Sequence, residues 1–466
     1  MAFEAVDLKT GRYKVVNRFY FTNLRKYDVN YELRANGSVA KRGKVALDVS
    51  PQATAEFVIP VTVTVGKPGV EYFVHFSVVT RQAEPLIPIG HEIAQEQFRL
   101  PLETEKDSYE ASGKALGWKA ENGKVVVSSS NVYFELDKAT GMVTSYKVNG
   151  TEFFDKAFGV QPNFWRAPND NDYGNSNPKR LQIWKESSRD FKVSDTAVRE
   201  EGETVLMSVT YDLPAGNQYL ITYRIYRDGV VNVNVKFTQT DREAEKTEVL
   251  EDTNLATFTP GKKVKKKDVL EVPRIGVRFR IPHVMNRVEY FGRGPVENYV
   301  DRNAGSMVGR YKTSVEEMYV NYVRPQENGH RTDTRWVSFT NTVGRGLLVL
   351  AEKTIGFNAL QNTVEDFDSE ESSHPYQWRN RSPKEVAGKN EAEAKNVLRR
   401  MTHVNDITPR DFVEVCIDMK QQGVAGYDSW GAKVQPGYTI PANRDYVWGF
   451  TSVSYTHLTL PTILRV

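Results

Sequence analysis

The sequence predicts an all-β protein made of two units, a small β-sandwich followed by a much larger antiparallel β structure. Apolar and polar residues alternate in short runs through residues 17–101, and the same alternation resumes at residue 124 in longer runs. Because successive side chains of a strand point to opposite faces of a sheet, this period of two residues indicates strands with one buried face. Between the two stretches, residues 103–117 are polar and charged, which is typical of a linker.

Composition places the chain among ordinary globular proteins. Of its 466 residues, 39% are hydrophobic and 26% are charged, which argues against a disordered or fibrous protein. The 62 basic and 59 acidic residues nearly balance, so overall charge does not predict a nucleic-acid or membrane partner. The single cysteine, Cys416, cannot form an internal disulfide and is expected to be a buried, inert thiol. No apolar run reaches the roughly 18 to 20 residues of a membrane span, and the first residues lack the core of a signal peptide.

Residues 1–101 are predicted to form an immunoglobulin-like β-sandwich. Turn formers, among them Asn36-Gly37 and Lys67-Pro68-Gly69, separate short alternating runs. The spacing of about 8 to 14 residues between strands is typical of such sandwiches. The alternating runs lie at residues 29–33, 45–49, 57–61 and 72–78.

Residues 102–123 are predicted to be a linker and the start of the next domain, and residues 124–452 a second all-β unit. The first turn of this unit is predicted at residues 137–141, and its helices only at 179–187 and 314–319. About 330 residues of mostly strand, with no repeat period, exceed a single small sandwich. Its long strands are predicted at residues 219–237, 277–281, 337–339, 347–351 and 412–419.

Two segments carry a strong local charge, and both are predicted to be solvated loops. The basic segment 261–268 lacks the interleaved aromatic residues that bind single-stranded nucleic acid. The acidic segment 365–371 lacks the spaced oxygen ligands and glycine of a calcium-binding loop.

Two sequence blocks resemble a known enzyme family. Residues 163–172 read NFWRAPNDND, and residues 290–336 include YFGRGPVENYVDRNAG and YVRPQENGHRTDTRW. They are similar to the C-terminal part of bacterial β-galactosidases of glycoside hydrolase family 2, and the resemblance extends from about residue 17 to about residue 452. It implies that the second unit is the large two-sheet supersandwich of the galactose-mutarotase-like superfamily. It also implies a catalytic (β/α)8 barrel before residue 1, so we expect the chain to be an inactive fragment of a retaining β-galactosidase that hydrolyses terminal, non-reducing β-D-galactose residues.

Glycoside hydrolysis needs two carboxyl groups on opposite sides of one bond, and Glu297 and Glu327 are candidates by chemistry alone. The favoured alternative is a partly buried ion network in which nearby arginines pair with these and other acids. The resemblance supports that alternative, because the family carries both catalytic glutamates in the barrel. The residues of the predicted network are Arg293, Glu297, Asp301, Arg302, Arg324, Glu327, Arg331, Asp333 and Arg335.

The strongest candidate for a substrate contact is Trp430, in the segment GYDSWG at residues 426–431. An indole presents a flat apolar face that suits the C–H face of a pyranose ring. A loop tryptophan that covers the core is the alternative. The resemblance implies that this loop reaches the mouth of the barrel, where the tryptophan stacks on the sugar at the leaving-group side. Ala425 and Tyr427 stand where family members usually carry glycine and an acidic or amide residue.

A second candidate segment, residues 169–177, reads NDNDYGNSN. So many turn-forming residues predict an exposed, mobile loop, with a purely structural turn as the alternative. The resemblance implies that this loop borders the active site and shifts when substrate binds. Its members are Asp170, Asn171, Asp172 and Gly174, with Gly174 as the hinge.

No metal site is predicted within the chain, because its histidines lack the spacing of zinc ligands. The resemblance implies Mg²⁺ and Na⁺ in the barrel of the parent enzyme, a galactoside substrate, and the N-terminal domains and further copies as partners. We expect a cytoplasmic location, with the periplasm as the alternative. Two other functions remain open: the natural small subunit of a two-chain enzyme, and a free-standing sugar-binding or mutarotase-like module.

Residues 453–466 are predicted to lie outside the natural domain. Their segment VSYTHLTLPT resembles the translated end of a sequencing-library adapter. We therefore expect the last strand of the second unit to end before residue 453.

Overall fold

A computed structural model describes residues 1–60, 66–102, 110–239, 271–368, 403–428 and 431–456. The predicted all-β fold is confirmed, since antiparallel strands dominate both units. The first unit pairs a three-stranded sheet, β1-β2-β5, with a four-stranded sheet, β4-β3-β6-β7. Its strands are β1 (Ala2–Asp7), β2 (Arg12–Val16), β3 (Tyr27–Ala35), β4 (Ser38–Val45), β5 (Thr54–Val58), β6 (Tyr72–Thr80) and β7 (Glu92–Arg99).

Aromatic rings from both sheets fill the core of the sandwich. Phe76 of β6 is fully buried, and its ring lies 4.9 Å from the rings of both Phe3 and Tyr13. The predicted strand at residues 45–49 is wrong in its extent, because β4 ends at Val45. Leu47 is nevertheless buried, as the alternation requires, but in the connection that follows the strand.

The second unit combines a five-stranded sheet, β12-β11-β10-β9-β8, with a twelve-stranded sheet. The large sheet runs β13-β18-β23-β22-β24-β17-β16-β15-β14, and β21, β19 and β20 branch from β22. The strands up to the first helices are β8 (Gly117–Glu121), β9 (Lys124–Ser128), β10 (Val132–Asp137), β11 (Val143–Val148), β12 (Thr151–Glu152) and β13 (Gln161–Asn163). The later strands are β14 (Lys192–Glu201), β15 (Thr204–Asp212), β16 (Gln218–Ile225), β17 (Val231–Thr238), β18 (Arg274–Pro282), β19 (Arg287–Gly294), β20 (Met307–Ser314), β21 (Arg331–Thr340), β22 (Arg345–Leu360), β23 (Phe412–Gln421) and β24 (Tyr446–Thr456).

The helices are short. Three of the described helices lie at the two predicted positions, and two, at residues 170–174 and 364–367, were not predicted. Ser314 caps α4 by accepting a hydrogen bond from Glu317 N, in a reciprocal capping box. The helices are α1 (Asp170–Gly174), α2 (Asn177–Arg180), α3 (Gln182–Ser187), α4 (Val315–Met318) and α5 (Val364–Phe367). Short 3₁₀ turns occur at Leu24–Lys26, Asp155–Ala157, Val404–Asp406 and Pro436–Tyr438. None of the helices in the described part of the chain combines the length and apolar character needed to cross a membrane.

The two sheets of the second unit enclose one large apolar core. Along β16, Tyr219, Ile221, Tyr223 and Ile225 are all at most 1% exposed, as the period of two predicts. The ring of Tyr223 lies 5.4 Å from that of Phe134 in the five-stranded sheet, so the two layers are in contact. Burial of each large side chain contributes about 1.5 to 3 kcal/mol, which makes this core the main source of stability. Cys416 also lies in this core, and burial raises the pKa of its thiol well above the usual value.

One predicted boundary is wrong. The region predicted as linker and start of the next domain, residues 102–123, includes β8 near its end, which pairs with β9 in the five-stranded sheet. The predicted tail 453–466 begins inside β24, because Val453–Thr456 pair with residues 348–345 of β22. Val453 and Tyr455 are 5% and 1% exposed, so these residues belong to the fold. Residues 457–466 lie outside the described part of the chain.

The acidic segment is also placed differently from its prediction as a solvated loop. Asp366 and Asp368 are buried. Glu365 accepts a hydrogen bond of 2.9 Å from Arg278 of β18. Burial of an unpaired carboxylate is unfavourable, so the pairing of Glu365 with Arg278 explains how this acidic segment can pack against a sheet. Residues 369–371 of the segment, and the basic segment 261–268, fall outside the described residues.

The two units share an interface. Gln97 of β7 donates a hydrogen bond of 2.8 Å to Val308 O and accepts one of 2.8 Å from Val308 N. Arg335 of β21 pairs with Glu71 at 2.6 Å. Phe73 joins a buried apolar cluster that otherwise consists of residues from the second unit, including Val453 and Tyr455.

Candidate functional site

The structure brings the two predicted site segments together on the surface of the second unit. Asn169 Nδ2 donates to Val424 O at 3.0 Å, and Asn175 Nδ2 donates to Ala432 O at 3.2 Å. A Cβ added to Gly431 would lie 2.5 Å from the carbonyl carbon of Gly174, so the two backbones touch. The residues around α1 therefore form one structural unit with residues 423–428 and 431–432.

Asn171 adds a further link between the two segments. In the amide orientation that satisfies both of its groups, Asn171 donates to Asp428 O and accepts from Gly426 N, each at 3.1 Å. Gly426 has a φ of +99° and Ala425 a φ of +57°. A left-handed residue with a Cβ costs about 1 to 2 kcal/mol, so the surrounding hydrogen bonds must hold Ala425 in this conformation.

The segment around α1 differs from the predicted exposed loop. Asn169 and Asp172 form a reciprocal capping box, which closes residues 170–174 into a helical turn. Asp172 is 3% exposed and pairs with Arg166 at 2.6 Å, while Asn177 donates to it at 2.7 Å. Sequence reasoning missed Arg166 as the partner of this acid.

Only part of this segment faces solvent. The side chain of Asp170 is 74% exposed and pairs with Arg324 at 3.1 Å. Arg324 also lies over the ring of Tyr173, with its guanidinium carbon 3.8 Å from the ring centroid. Gly174 is the last residue of α1. Its role as a hinge, and the mobility of the segment, stay predictions.

Trp430 lies outside the described residues, together with Ser429, so its stacking role stays a prediction. The neighbouring Tyr427 is 64% exposed. Gly431, on the other side, has a φ of +92° and contacts the backbone at Gly174. The described residues that flank Trp430, among them Asp428 and Gly431, therefore contact the segment around α1.

The predicted ion network is wrong as a single cluster, because its members have separate partners. Arg331 pairs with none of the predicted acids and donates to Tyr290 OH and to the carbonyl oxygens of Gly329 and His330. Asp301 accepts hydrogen bonds from two backbone N–H groups and pairs with no arginine among the described residues. The observed pairs are Arg293–Asp333 at 2.6 Å, Arg302–Glu297 at 3.7 Å, Arg324–Asp170 at 3.1 Å, Arg335–Glu71 at 2.6 Å and Arg274–Glu327 at 2.9 Å.

Both candidate carboxylates are engaged in structural contacts. Glu297 accepts hydrogen bonds from Tyr322 OH, from Gly329 N at 2.8 Å and from Tyr299 OH at 3.4 Å. Glu327 is 5% exposed and pairs with buried Arg274. A general acid or nucleophile must reach a substrate bond, and these two groups are instead used to hold loops and a strand.

A buried charged cluster beneath the site escaped the sequence reasoning. Arg274 of β18 is fully buried, with Nη2 2.9 Å from Glu327 and Nε 3.2 Å from Asp418 of β23. Burial, opposed by the nearby Arg274, raises the pKa of Asp418 to about 7. His330 Nδ1 lies 3.8 Å from Asp418 Oδ2, and burial lowers the pKa of this imidazole well below its usual value. Arginines at positions 274, 278 and 280, on the same face of a strand, are the signal that could have indicated a polar face here.

No metal site is apparent within the described residues. There, no group of three or more histidine, cysteine, aspartate or glutamate side chains is arranged to hold a metal ion. Asp418 and Glu327 share the guanidinium of Arg274 as their counter-charge. Their chemistry is that of an ion pair, which an additional cation would disturb.

Comparison with known proteins identifies the family. A family model described as β-galactosidase small chain matches residues 128–451, and a second, described as β-galactosidase domain 4, matches residues 13–101. A β-galactosidase from Priestia megaterium is 31% identical over 450 residues, which cover 96% of this chain and 38% of the relative. A β-galactosidase from Streptococcus thermophilus is 27% identical over 449 residues, which cover 96% of this chain and 37% of the relative. The chain thus spans less than two fifths of the length of these relatives.

Among solved structures, a galactose mutarotase related enzyme from Lactobacillus acidophilus covers 72% of this chain and 97% of its own, at 8% identity and a TM-score of 0.33. The family models together span both structural units, and the small-chain model alone matches more than half of the chain. The chain belongs to the β-galactosidase small chain family.

Proposed function

We propose that this chain is the C-terminal part of a β-galactosidase that hydrolyses terminal, non-reducing β-D-galactose residues. It contributes a scaffold and the loops at one side of the sugar site, while a barrel domain supplies the acid and the nucleophile. The observation that supports this proposal is the junction of α1 with residues 423–428 and 431–432, where exposed Asp170 and exposed Tyr427 each stand next to a residue that forms the junction.

The chemistry of this surface suits sugar recognition. Asp170 offers a carboxylate next to the guanidinium of Arg324, and such charged groups form strong hydrogen bonds with hydroxyls. Tyr427 offers an exposed aromatic ring, and Trp430 follows three residues later in the sequence. Aromatic faces and a few fixed polar groups are the usual components of a sugar site. In this mechanism the chain binds and orients the substrate, and proton transfer occurs on groups of the barrel.

The proposal extends to features that the family resemblance implies. Mg²⁺ and Na⁺ belong to the barrel, the whole enzyme is an oligomer, and its location is the cytoplasm. A mutarotase-like isomerase is less well supported, because the acid and base of that reaction must reach a sugar. His330, Glu327 and Asp418 are 1%, 5% and 0% exposed, so burial separates them from a sugar in solution.

The direct test is a comparison of this chain with a chimera. In the chimera, the matching region of the Priestia megaterium enzyme is replaced by the present 466 residues. We expect the chain alone to give no turnover of a nitrophenyl β-galactoside, and the chimera to give clear turnover, because acid and nucleophile are then both present. Turnover by the chain alone that disappears in Glu297→Gln or Glu327→Gln would overturn the proposal.

Trp430→Ala in the active chimera is expected to weaken binding of the leaving-group sugar, or of glucose as acceptor, by about 1 to 3 kcal/mol. This is the contribution of one aromatic stacking surface. Acceptor affinity is read from the partition between hydrolysis and transfer to glucose. Trp118→Ala is the matched control, since Trp118 is a half-exposed strand residue of the five-stranded sheet. Equal acceptor affinity in the Trp430 variant and the unmodified chimera would rule out the stacking role.

A further inference from the structure

We propose that Asp301 is a positioning residue for the galactoside site, and this inference rests on the proposed function. Asp301 Oδ1 accepts a hydrogen bond of 3.1 Å from Val424 N, and Oδ2 accepts one of 2.8 Å from Ala425 N. One carboxylate thus binds two consecutive backbone N–H groups. A two-point contact of a charged group fixes both the position and the orientation of the segment 423–428, which we call the 423–428 loop.

The packing around this contact is close. A Cβ at Gly423 would lie 2.3 Å from Asp301 Oδ2, so only glycine allows the carboxylate to approach the loop backbone. Gly423 N donates to Tyr438 O at 3.0 Å, which holds the start of the loop. Ala425 keeps its left-handed conformation beside this contact. Without Asp301, the strain of that conformation would favour a different path for the loop.

The segment that carries Asp301 is itself rigid. Asn298 is fully buried and donates to the carbonyl oxygens of Arg293 and Val296. Its side-chain oxygen also accepts a hydrogen bond from Thr332 N of β21. Tyr299 is 2% exposed, and Arg302 N donates to Tyr299 O at 2.7 Å. Asp301 therefore projects from a fixed turn that is bound to the large sheet.

On its other side the 423–428 loop contacts the segment around α1. Arg166 donates to Gly423 O at 3.3 Å, Asn169 donates to Val424 O, and Asn171 bonds to Gly426 and Asp428. The loop is held between these groups and Asp301. Removal of the carboxylate leaves two N–H groups unsatisfied and one side of the loop unsupported. Asp301 thus sets the geometry of the sugar-facing surface through the loop backbone, although its own carboxylate is occupied by that backbone.

Amide hydrogen exchange of the full chain tests the structural step. In Asp301→Asn we expect exchange at Val424 and Ala425 to be at least tenfold faster, because an amide cannot accept both hydrogen bonds. Asp333→Asn is the matched control. It makes the same chemical change in a neighbouring segment, where Asp333 pairs with Arg293 and is half-exposed. Unchanged exchange at both amides in Asp301→Asn would overturn the inference.

Kinetics of the chimera test the functional step. Asp301→Asn is expected to raise KM for a galactoside about tenfold with a smaller change in kcat, and Asp333→Asn to change neither. Asp301→Glu, which keeps the charge, is expected to recover part of the loss. Faster exchange with an unchanged KM would show a purely structural role and overturn the inference while the proposed function stands. An inactive unmodified chimera would instead overturn the proposed function, and the assignment of Asp301 to a sugar site with it.

Discussion

Arg274→Ala is expected to lower the free energy of unfolding by about 3 to 5 kcal/mol, the cost of leaving a buried carboxylate without its partner. Arg274 is fully buried between Glu327 and Asp418, at 2.9 Å and 3.2 Å. The measurement is urea denaturation of the full chain at pH 8. A loss below about 1 kcal/mol would contradict the importance of this cluster.

The effect of Arg274→Ala should depend on pH. In the native chain, burial raises the pKa of Asp418 from 3.8 to about 7. The folded state therefore binds this proton more tightly than the unfolded state, and its stability falls as pH rises from about 4 to about 7. Removal of the guanidinium extends this fall to higher pH, because nothing then offsets the burial of the carboxylate. The loss caused by Arg274→Ala should thus be smaller at pH 5 than at pH 8.

Two control variants test whether the loss of stability comes from the burial of the charges or from the loss of any ion pair. Arg199→Ala removes an arginine whose pair with Glu201 is exposed, and an exposed pair contributes at most about 1 kcal/mol. The triple variant Arg274→Met, Glu327→Gln, Asp418→Asn removes all three charges together. It should recover much of the loss, since well-packed neutral groups can replace a buried ion cluster.

A chain that ends at Ser452 is expected to be less stable by about 3 to 6 kcal/mol, because Val453 and Tyr455 each contribute about 1.5 to 3 kcal/mol by burial. Both side chains lie in the apolar cluster with Phe73 and Trp336. The truncation also removes the β24 partner of residues 345–348, which opens an edge of β22 to association with other chains. Urea denaturation and light scattering measure the two consequences.

The matched control is a chain that ends at Thr456. It keeps the whole of β24 as the structure describes it, between β17 and β22. We expect this chain to match the full chain in stability and to scatter less light than the shorter chain. Equal behaviour of the two truncated chains would show that residues 453–456 contribute nothing to the fold.

The strands could be predicted because their signal is local. Alternate residues of β16, such as Tyr219 and Ile221, are buried. A strand with one apolar face shows this alternation in its own residues, so it can be recognised without knowing its partners. The turn after β10 was predictable for a similar reason, since Asp137 and Gly141 supply its hydrogen bond and its left-handed residue. The start of α1 also has a local signal, the capping box of Asn169 and Asp172, although the segment was predicted to be a loop.

Long-range pairing explains the errors. β24 continues through Thr456 because residues 345–348 of β22 pair with residues 453–456, about a hundred residues away in the sequence, whereas the pairing with β17 ends at Ser452. Residues 453–456 belong to the segment that resembles a sequencing adapter, yet the alternate side chains Val453 and Tyr455 pack in a buried apolar cluster and so fit the sheet. Sequence similarity alone therefore could not decide where the fold ends.

The choice of ionic partners was also beyond local patterns. The charged residues clustered along residues 293–335 predict ion pairs in general. They do not predict that Arg324 pairs with Asp170, or that Asp301 accepts hydrogen bonds from two backbone N–H groups. The strand pattern, the two units and the family can be inferred from sequence, because they depend on neighbouring residues and on inherited motifs. Which loops meet and which charges pair is visible only in the folded chain, because those contacts depend on distances between strands far apart in the sequence.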